Sequence, residues 1–178
     1  PDVISIADDK YKTYRFLRDN DLPFPATGLP GDQERIIDEV GFPLVVKPRV
    51  GARAKGVRVV HTVTELESAI DHAESPPVIQ ECISDANHEF TAGTLTFDGT
   101  CEASVVMRRD LRDGNTYRAY VDRYRDYNEF VREAAEKLGA RGPANFQFRL
   151  DGDRIVIFEI NARFSGTTPL RMLAGFNE

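Results

Sequence analysis

Apolar and polar positions change period several times along this chain, and each change marks an element. Tyr14, Leu17 and Leu22 follow Asp8 and Asp9 at helical spacing, which predicts a helix over residues 8–20 capped by one of the two aspartates. Leu22-Pro23-Phe24-Pro25 predicts an extended exit, because proline biases its predecessor away from helix. Residues 32–40 read as a helix ended by Gly41. The unbroken apolar run Pro43 to Val46 predicts a buried strand that terminates in Lys47. Beyond the loop Pro48–Gly56, the pattern predicts a strand over Val57–His61 and a strand over Val78–Ile83, which runs into a loop, Ser84 to His88. Between them lies a helix, Thr64 to Ala73, with Thr64 as cap and Glu67 at the capping-box position.

From Glu89 the pattern turns antiparallel. Phe90–Phe97 and Cys101–Met107 predict strands joined by an Asp98-Gly99 turn. Arg108 to Arg125 is polar and arginine-rich, and reads as a solvated or mobile loop. The stripe Phe130, Ala134, Leu138 predicts a helix over Tyr127–Leu138, stopped by Gly139. Pro143–Leu150 and Arg154–Asn161 predict a hairpin about a three-residue loop, Asp151 to Asp153. Strand alternation then places Ile155, Ile157, Glu159 and Asn161 on one face, and Val156, Phe158 and Ile160 on an apolar face that must be buried. A last helix begins at Pro169. This mixed order with clear hairpins predicts an α+β fold.

The length, 178 residues, allows one compact domain or two small lobes. A hydrophobic content of 41% with 29% charged residues argues against disorder. The net charge of −6 excludes a general basic field for nucleic acid. No apolar run approaches a membrane span and no signal peptide is visible. Cys82 and Cys101 form no disulfide framework or metal spacing, which suits a reducing, cytoplasmic setting. A start at Pro1 and a stop in an apparent helix near Glu178 lead us to expect a larger protein with flanking domains.

The candidate chemistry gathers on the last hairpin. With a three-residue loop, Gln147 falls diagonal to Glu159 on the face that Asn161 shares, roughly 7–8 Å away, a gap long side chains close around an ion. Three oxygen donors without Cys or His suit a hard cation such as Mg²⁺; the plain alternative is a solvated surface hairpin. Lys47, followed by a loop with Gly51, Gly56, Arg49, Arg53 and Lys55, combines a fixed cation with flexible backbone amides, as a nucleotide's phosphates require. It is not a P-loop, since Gly-x₄-Gly-Lys-Ser/Thr is missing. Glu81 and Glu89 are placed to accept from ribose hydroxyls or an adenine amine, and Arg163 to hold phosphate or carboxylate, or to pair with Glu159. The three histidines are scattered, which excludes a histidine metal site or a catalytic triad.

These motifs, taken together, resemble the ATP-grasp superfamily, and within it the ATP-binding domain of carbamoyl-phosphate synthetase large subunits and related carboxylate–amine ligases. The resemblance rests on Asn145-Phe146-Gln147 followed by Phe158-Glu159-Ile160-Asn161-Ala162-Arg163, on Gly41 to Pro48 with its glycine loop, on Ile79-Gln80-Glu81, and on Glu89-Phe90-Thr91. It runs from about Asp9 to about Gly175. It implies two α+β lobes with a nucleotide cleft between them: an N-terminal helix over 1–23, a lid lobe over 24–81, and a lobe over 82–178 that carries the metal hairpin.

Carried over by position, the resemblance implies that Lys10 contacts the α-phosphate and Lys47 the α/β-phosphates. The loop Gly51 to Gly56, with Arg53 and Lys55, closes over the β/γ-phosphates. Glu81, Cys82 and Ile83 line the adenine, and Glu89 holds the ribose. Gln147, Glu159 and Asn161 bind one or two Mg²⁺ (or Mn²⁺), and Arg163 steadies the γ-phosphate or the acceptor carboxylate. Arg108 and Arg118 are expected near the transferred phosphate. The implied activity is ADP-forming activation of a carboxylate as an acyl phosphate, captured by an amine. The alternatives are carbamoyl-phosphate-synthetase-like phosphoryl transfer and a non-catalytic nucleotide-binding module.

Overall fold

The computed structural model describes residues 2–51, 55–83, 89–122 and 124–176. Two antiparallel sheets organise them into two α+β lobes. The first sheet runs in the order β1 (Thr27–Gly28), β4 (Pro77–Glu81), β2 (Leu44–Pro48), β3 (Arg58–Val60). Alternation along β2 sends Leu44 and Val46 into a core with Ile36 and Leu66, from helices α3 (Gln33–Val40) and α4 (Val63–Asp71). Val45 and Lys47 point to the other face, which lines a cleft. The run Pro43–Val46 is therefore two-sided rather than buried throughout. Helix α4 starts earlier than its pattern predicts: Thr62, not Thr64, is the cap, and its Oγ1 accepts the Glu65 N–H at 3.2 Å.

The second sheet runs β7 (Asn115–Val121), β6 (Thr100–Arg112), β5 (Glu89–Phe97), β8 (Gly142–Asp151), β9 (Arg154–Asn161). Helices α1 (Val3–Asp8), α2 (Lys10–Asp19) and α5 (Arg125–Leu138) pack on it around Phe90, Phe146, Phe148, Ile157 and Ile160. Full burial of such side chains stabilises by about 1.5–3 kcal/mol each. A short helix, α6 (Thr168–Leu173), follows β9.

The helix expected over 8–20 is α2, and a separate helix, α1, precedes it, the chain turning extended at Asp9 (φ −111°) between the two. The Asp9 carboxylate then caps α2, accepting from the backbone N–H of Tyr11 at 2.9 Å and of Lys12 at 3.4 Å. The arginine-rich stretch is not a loop. Strand β6 continues to Arg112, and Asp113 (φ 52°) with Gly114 (φ 73°) makes a two-residue turn into β7. Two consecutive positive φ values match the twist of a hairpin, the same device as Asp98-Gly99.

The β8–β9 hairpin also differs from its predicted register. Asp151 pairs with Arg154, so the loop is two residues, and Gln147 pairs with Glu159 directly rather than diagonally. The register shifts between Gln147 and Phe148, which pair with Glu159 and Ile157, so Phe158 is the extra residue of a bulge. Phe158 is consequently only half-buried and joins Glu159 on the cleft wall, while Ile157 turns into the core.

Candidate functional site

The two sheets face each other across a cleft of about 280 Å³. Of the residues singled out from the sequence, Lys10, Lys47, Gly51, Lys55, Glu81, Cys82, Ile83, Glu89, Gln147 and Glu159 line it. Gly56, Asn161 and Arg163 are not part of its walls, although Asn161 touches Glu159. Arg53 lies outside the described residues.

The first sheet supplies a buried cation. Lys47 is 7% exposed, and its ammonium donates to Gln80 Oε1 at 2.6 Å and sits 5.6 Å from the Phe158 ring centre. Burial pushes this ammonium down to about 8, with the charge of Lys10 adding to the push and Glu159 opposing it. Lys10 Nζ donates to the Gly51 carbonyl at 3.0 Å, and burial lowers its pKa against the pull of Glu159 and Asp9. The start of the basic loop is latched to α2: Arg49 pairs with Asp9 at 2.5 Å, and the Lys10 N–H donates to the Arg49 carbonyl at 2.9 Å.

The second sheet supplies a row of oxygens held by arginines. Glu89 is 4% exposed; Oε1 accepts from Arg109 at 3.1 and 2.5 Å, and Oε2 accepts from Arg149 at 3.0 and 2.6 Å. Arg109 also donates to Gln147 Oε1 at 2.7 Å. A guanidinium only donates, so Gln147 turns its amide nitrogen toward Glu159, 3.5 Å from Oε1. Asn161 Nδ2 donates to the same oxygen at 2.9 Å, while Arg163 donates to Asn161 Oδ1 at 3.4 Å. Glu81 accepts from the Ala26 N–H at 3.0 Å and pairs with Arg154 at 3.5 Å. The Ile83 carbonyl accepts from Arg149 at 2.8 Å.

The donor set of Glu159, Gln147 and Asn161 suits a hard divalent cation. Each of the three side chains carries an oxygen able to ligate, one of them a carboxylate, and Gln147 and Glu159 border the cleft wall that Lys10 and Lys47 line. For all three to ligate, both amides would present oxygen where nitrogen now faces Glu159. Among the described residues there is no cluster of three His, Cys, Asp or Glu side chains able to hold a metal by themselves.

The expectation for Arg108 and Arg118 is not met. Neither lines the cleft: Arg108 pairs with Asp110 at 3.0 Å and stacks on Tyr120, and Arg118 lies over Tyr117. Arg109, one residue on, points inward instead. Reading residues 108–125 as a loop hid this, although Asp113-Gly114 carried the same turn signal as Asp98-Gly99. Arg149 and Gln80 were missed too. Arg149 follows Gln147 by two on one strand face, which alternation reveals; Gln80 stands in the Ile79-Gln80-Glu81 motif, but as a neutral residue inside an apolar strand it carries no sign of what it touches.

A family model of the ATP-grasp domain matches residues 7–167. The chain belongs to the ATP-grasp family. The carbamoyl phosphate synthase large chain of Streptomyces coelicolor is 28% identical over 95% of this ATP-grasp chain, which spans 17% of that relative's length. Among solved structures, an L-amino acid ligase from Bacillus licheniformis is 25% identical with a TM-score of 0.72, covering 94% of this chain and 43% of that one. Biotin carboxylase from Campylobacter jejuni has the same fold at a TM-score of 0.79 and 19% identity, covering 96% of this chain and 44% of that one. This ATP-grasp domain is thus related to ATP-dependent ligases. No helix among the described residues is long and apolar enough to cross a membrane.

Proposed function

We propose that this chain is the ATP-binding domain of a cytoplasmic, ADP-forming, Mg²⁺-dependent ligase that activates a carboxylate as an acyl phosphate for attack by an amine. The carrying observation is the juxtaposition, across one cleft, of Lys10 and Lys47 with Gln147 and Glu159. Lys10 and Lys47 hold the α- and β-phosphates, and Gly51 and Lys55, on the cleft wall, meet the β/γ end. Residues 81–83 line the adenine through backbone atoms, because the Glu81 side chain is already engaged by Ala26 and Arg154. Glu89, oriented by Arg109 and Arg149, is assigned to the ribose; because the two arginines already fill its acceptor sites, a ribose hydroxyl takes the place of one of their four hydrogen bonds. Glu159 and Asn161, with Gln147, would hold Mg²⁺ (or Mn²⁺); the chemistry a bound ion supplies there is neutralisation of the charge on the transferred phosphoryl group.

A substrate carboxylate oxygen attacks the γ-phosphorus, the bond to the β–γ bridging oxygen breaks, and ADP leaves. The amine nitrogen then attacks the acyl carbon, phosphate departs, and the nitrogen loses a proton. The side chains supply positioning and positive charge, with Arg163 steadying the γ-phosphate or the acceptor carboxylate, and no protein nucleophile is required. The similarity to carbamoyl phosphate synthase large chains favours a second reading, formation of a carbamoyl phosphate on the same residues.

The test is product analysis on the full-length protein with its flanking domains. Incubation with ATP, Mg²⁺ and candidate carboxylates in hydroxylamine should give stoichiometric hydroxamate and ADP. Formation of AMP and pyrophosphate would exclude the reading.

A further inference from the structure

A chain of three buried hydrogen bonds crosses the first sheet behind Lys47. The Lys47 ammonium donates to Gln80 Oε1 at 2.6 Å, Gln80 Nε2 donates to Thr27 Oγ1 at 2.9 Å, and the Thr27 hydroxyl donates to the Pro25 carbonyl at 2.7 Å. The sheet register builds it: Thr27 and Val45 both pair with Gln80, and Lys47 lies two residues beyond Val45 on the same strand face. Gln80 is 4% exposed and Thr27 0%, so water does not complete either group.

The direction of the chain is fixed at both ends. An ammonium only donates and a carbonyl only accepts. With the Thr27 proton committed to Pro25, its oxygen must accept, and Gln80 has to offer nitrogen to Thr27 and oxygen to Lys47. Turning the amide over would set nitrogen against ammonium and leave a buried amide oxygen to compete with Pro25 for the hydroxyl proton.

We propose that Gln80 and Thr27 are positioning residues for Lys47, a one-way relay that aims its ammonium for a polyanionic ligand of the cleft. Resting on the nucleotide reading above, this names the phosphates as the part of the ligand the relay serves. The amide is a neutral acceptor, so it orients the ammonium without cancelling its charge. A phosphate then meets a cation already desolvated and aimed.

The experiment compares a ligand with phosphates and one without, ATP–Mg²⁺ and adenosine, by calorimetric titration of the native chain and of Gln80→Leu, Thr27→Val and Thr27→Ser. Gln80→Leu should weaken ATP roughly tenfold, as expected for loss of a hydrogen bond to a charged group, with adenosine affinity unchanged. Thr27→Val, isosteric but without the hydroxyl, should weaken ATP in the same direction, and Thr27→Ser, which keeps it, should bind as the native chain does. Equal losses for both ligands would make Gln80 a structural residue only, and native-like ATP binding by Gln80→Leu would remove the relay; either overturns the proposal while leaving the nucleotide reading intact. Failure of the native chain to bind ATP at all would overturn both.

Discussion

Arg109 and Glu89 lie on adjacent strands and share two hydrogen bonds, 3.1 and 2.5 Å, in a setting where neither side chain is more than 9% exposed. The same guanidinium reaches Gln147, so one residue joins the carboxylate assigned to the ribose with the amide assigned to the metal. Without Arg109, Glu89 keeps its pair with Arg149, but Glu89 Oε1 and Gln147 Oε1 both lose their donor. We expect Arg109→Met to destabilise the chain by about 1–3 kcal/mol, the cost of buried acceptors left unsatisfied. Urea denaturation measures it, and Arg109→Lys should recover only part, because a single ammonium does not span both acceptors.

Gly93 sits on β5 beneath the buried Arg171 side chain, whose guanidinium donates to Asn145, Ser165, Thr167 and Thr168. A Cβ at Gly93 would lie 2.5 Å from Arg171 Nε. Gly93→Ala should therefore cost about 1–3 kcal/mol by overpacking. Thermal unfolding of Gly93→Ala reads this, and a native midpoint would show that Arg171 has room to move.

Asp9 caps α2 and pairs with Arg49, linking the helix start to the basic loop. Burial alone would raise the Asp9 pKa, but the bonds from Arg49 and Tyr11 outweigh it and hold the carboxyl below its ordinary 3.8. A depressed carboxylate contributes stability above its unfolded pKa and loses it as pH falls through the lower folded value. Asp9→Ala should cost about 1 kcal/mol at neutral pH, as a lost cap does, and the difference from the native chain should close at acid pH below 3.8. Denaturation at neutral and strongly acid pH measures both.

Lys47 carries the opposite sign. Its folded pKa of about 8 lies below the ordinary 10.5, so between these values the unfolded chain binds more protons and stability gains as pH rises. The cost of burying the ammonium is full below pH 8. Lys47→Met should stabilise the nucleotide-free chain at pH 7 by on the order of 1 kcal/mol, after the unpaired Gln80 oxygen is counted, and the gain should shrink toward pH 10. Chemical denaturation across that range is the check.

Much of this arrangement was legible in the residues themselves. Gly41 and Gly139 end α3 and α5 where the apolar stripes stop, and Asp9 caps α2, because these signals are local. The α+β class followed from the mixed order of helices and hairpins, and the family from several motifs in order, with Asn145–Gln147 and Phe158–Arg163 the most specific. What escaped depends on tertiary context. The bulge at Phe158 shifts which residues of β9 face the cleft, and strict alternation has no means of placing an extra residue. Arg109 was obscured because a charged stretch reads as solvated until Glu89 and Gln147 are brought beside it. Gln80 gains its part only from Lys47 and Thr27, far away in sequence.

The central claim, ATP held with a divalent ion on the β8–β9 hairpin, is tested most directly by calorimetric titration of ATP into this chain with and without Mg²⁺, for the native protein and for Glu159→Ala. We expect saturable binding that strengthens with Mg²⁺ in the native chain, and a loss of that metal dependence in Glu159→Ala. Binding that is equally tight in both proteins and indifferent to Mg²⁺, or no binding to the native chain, would contradict the claim.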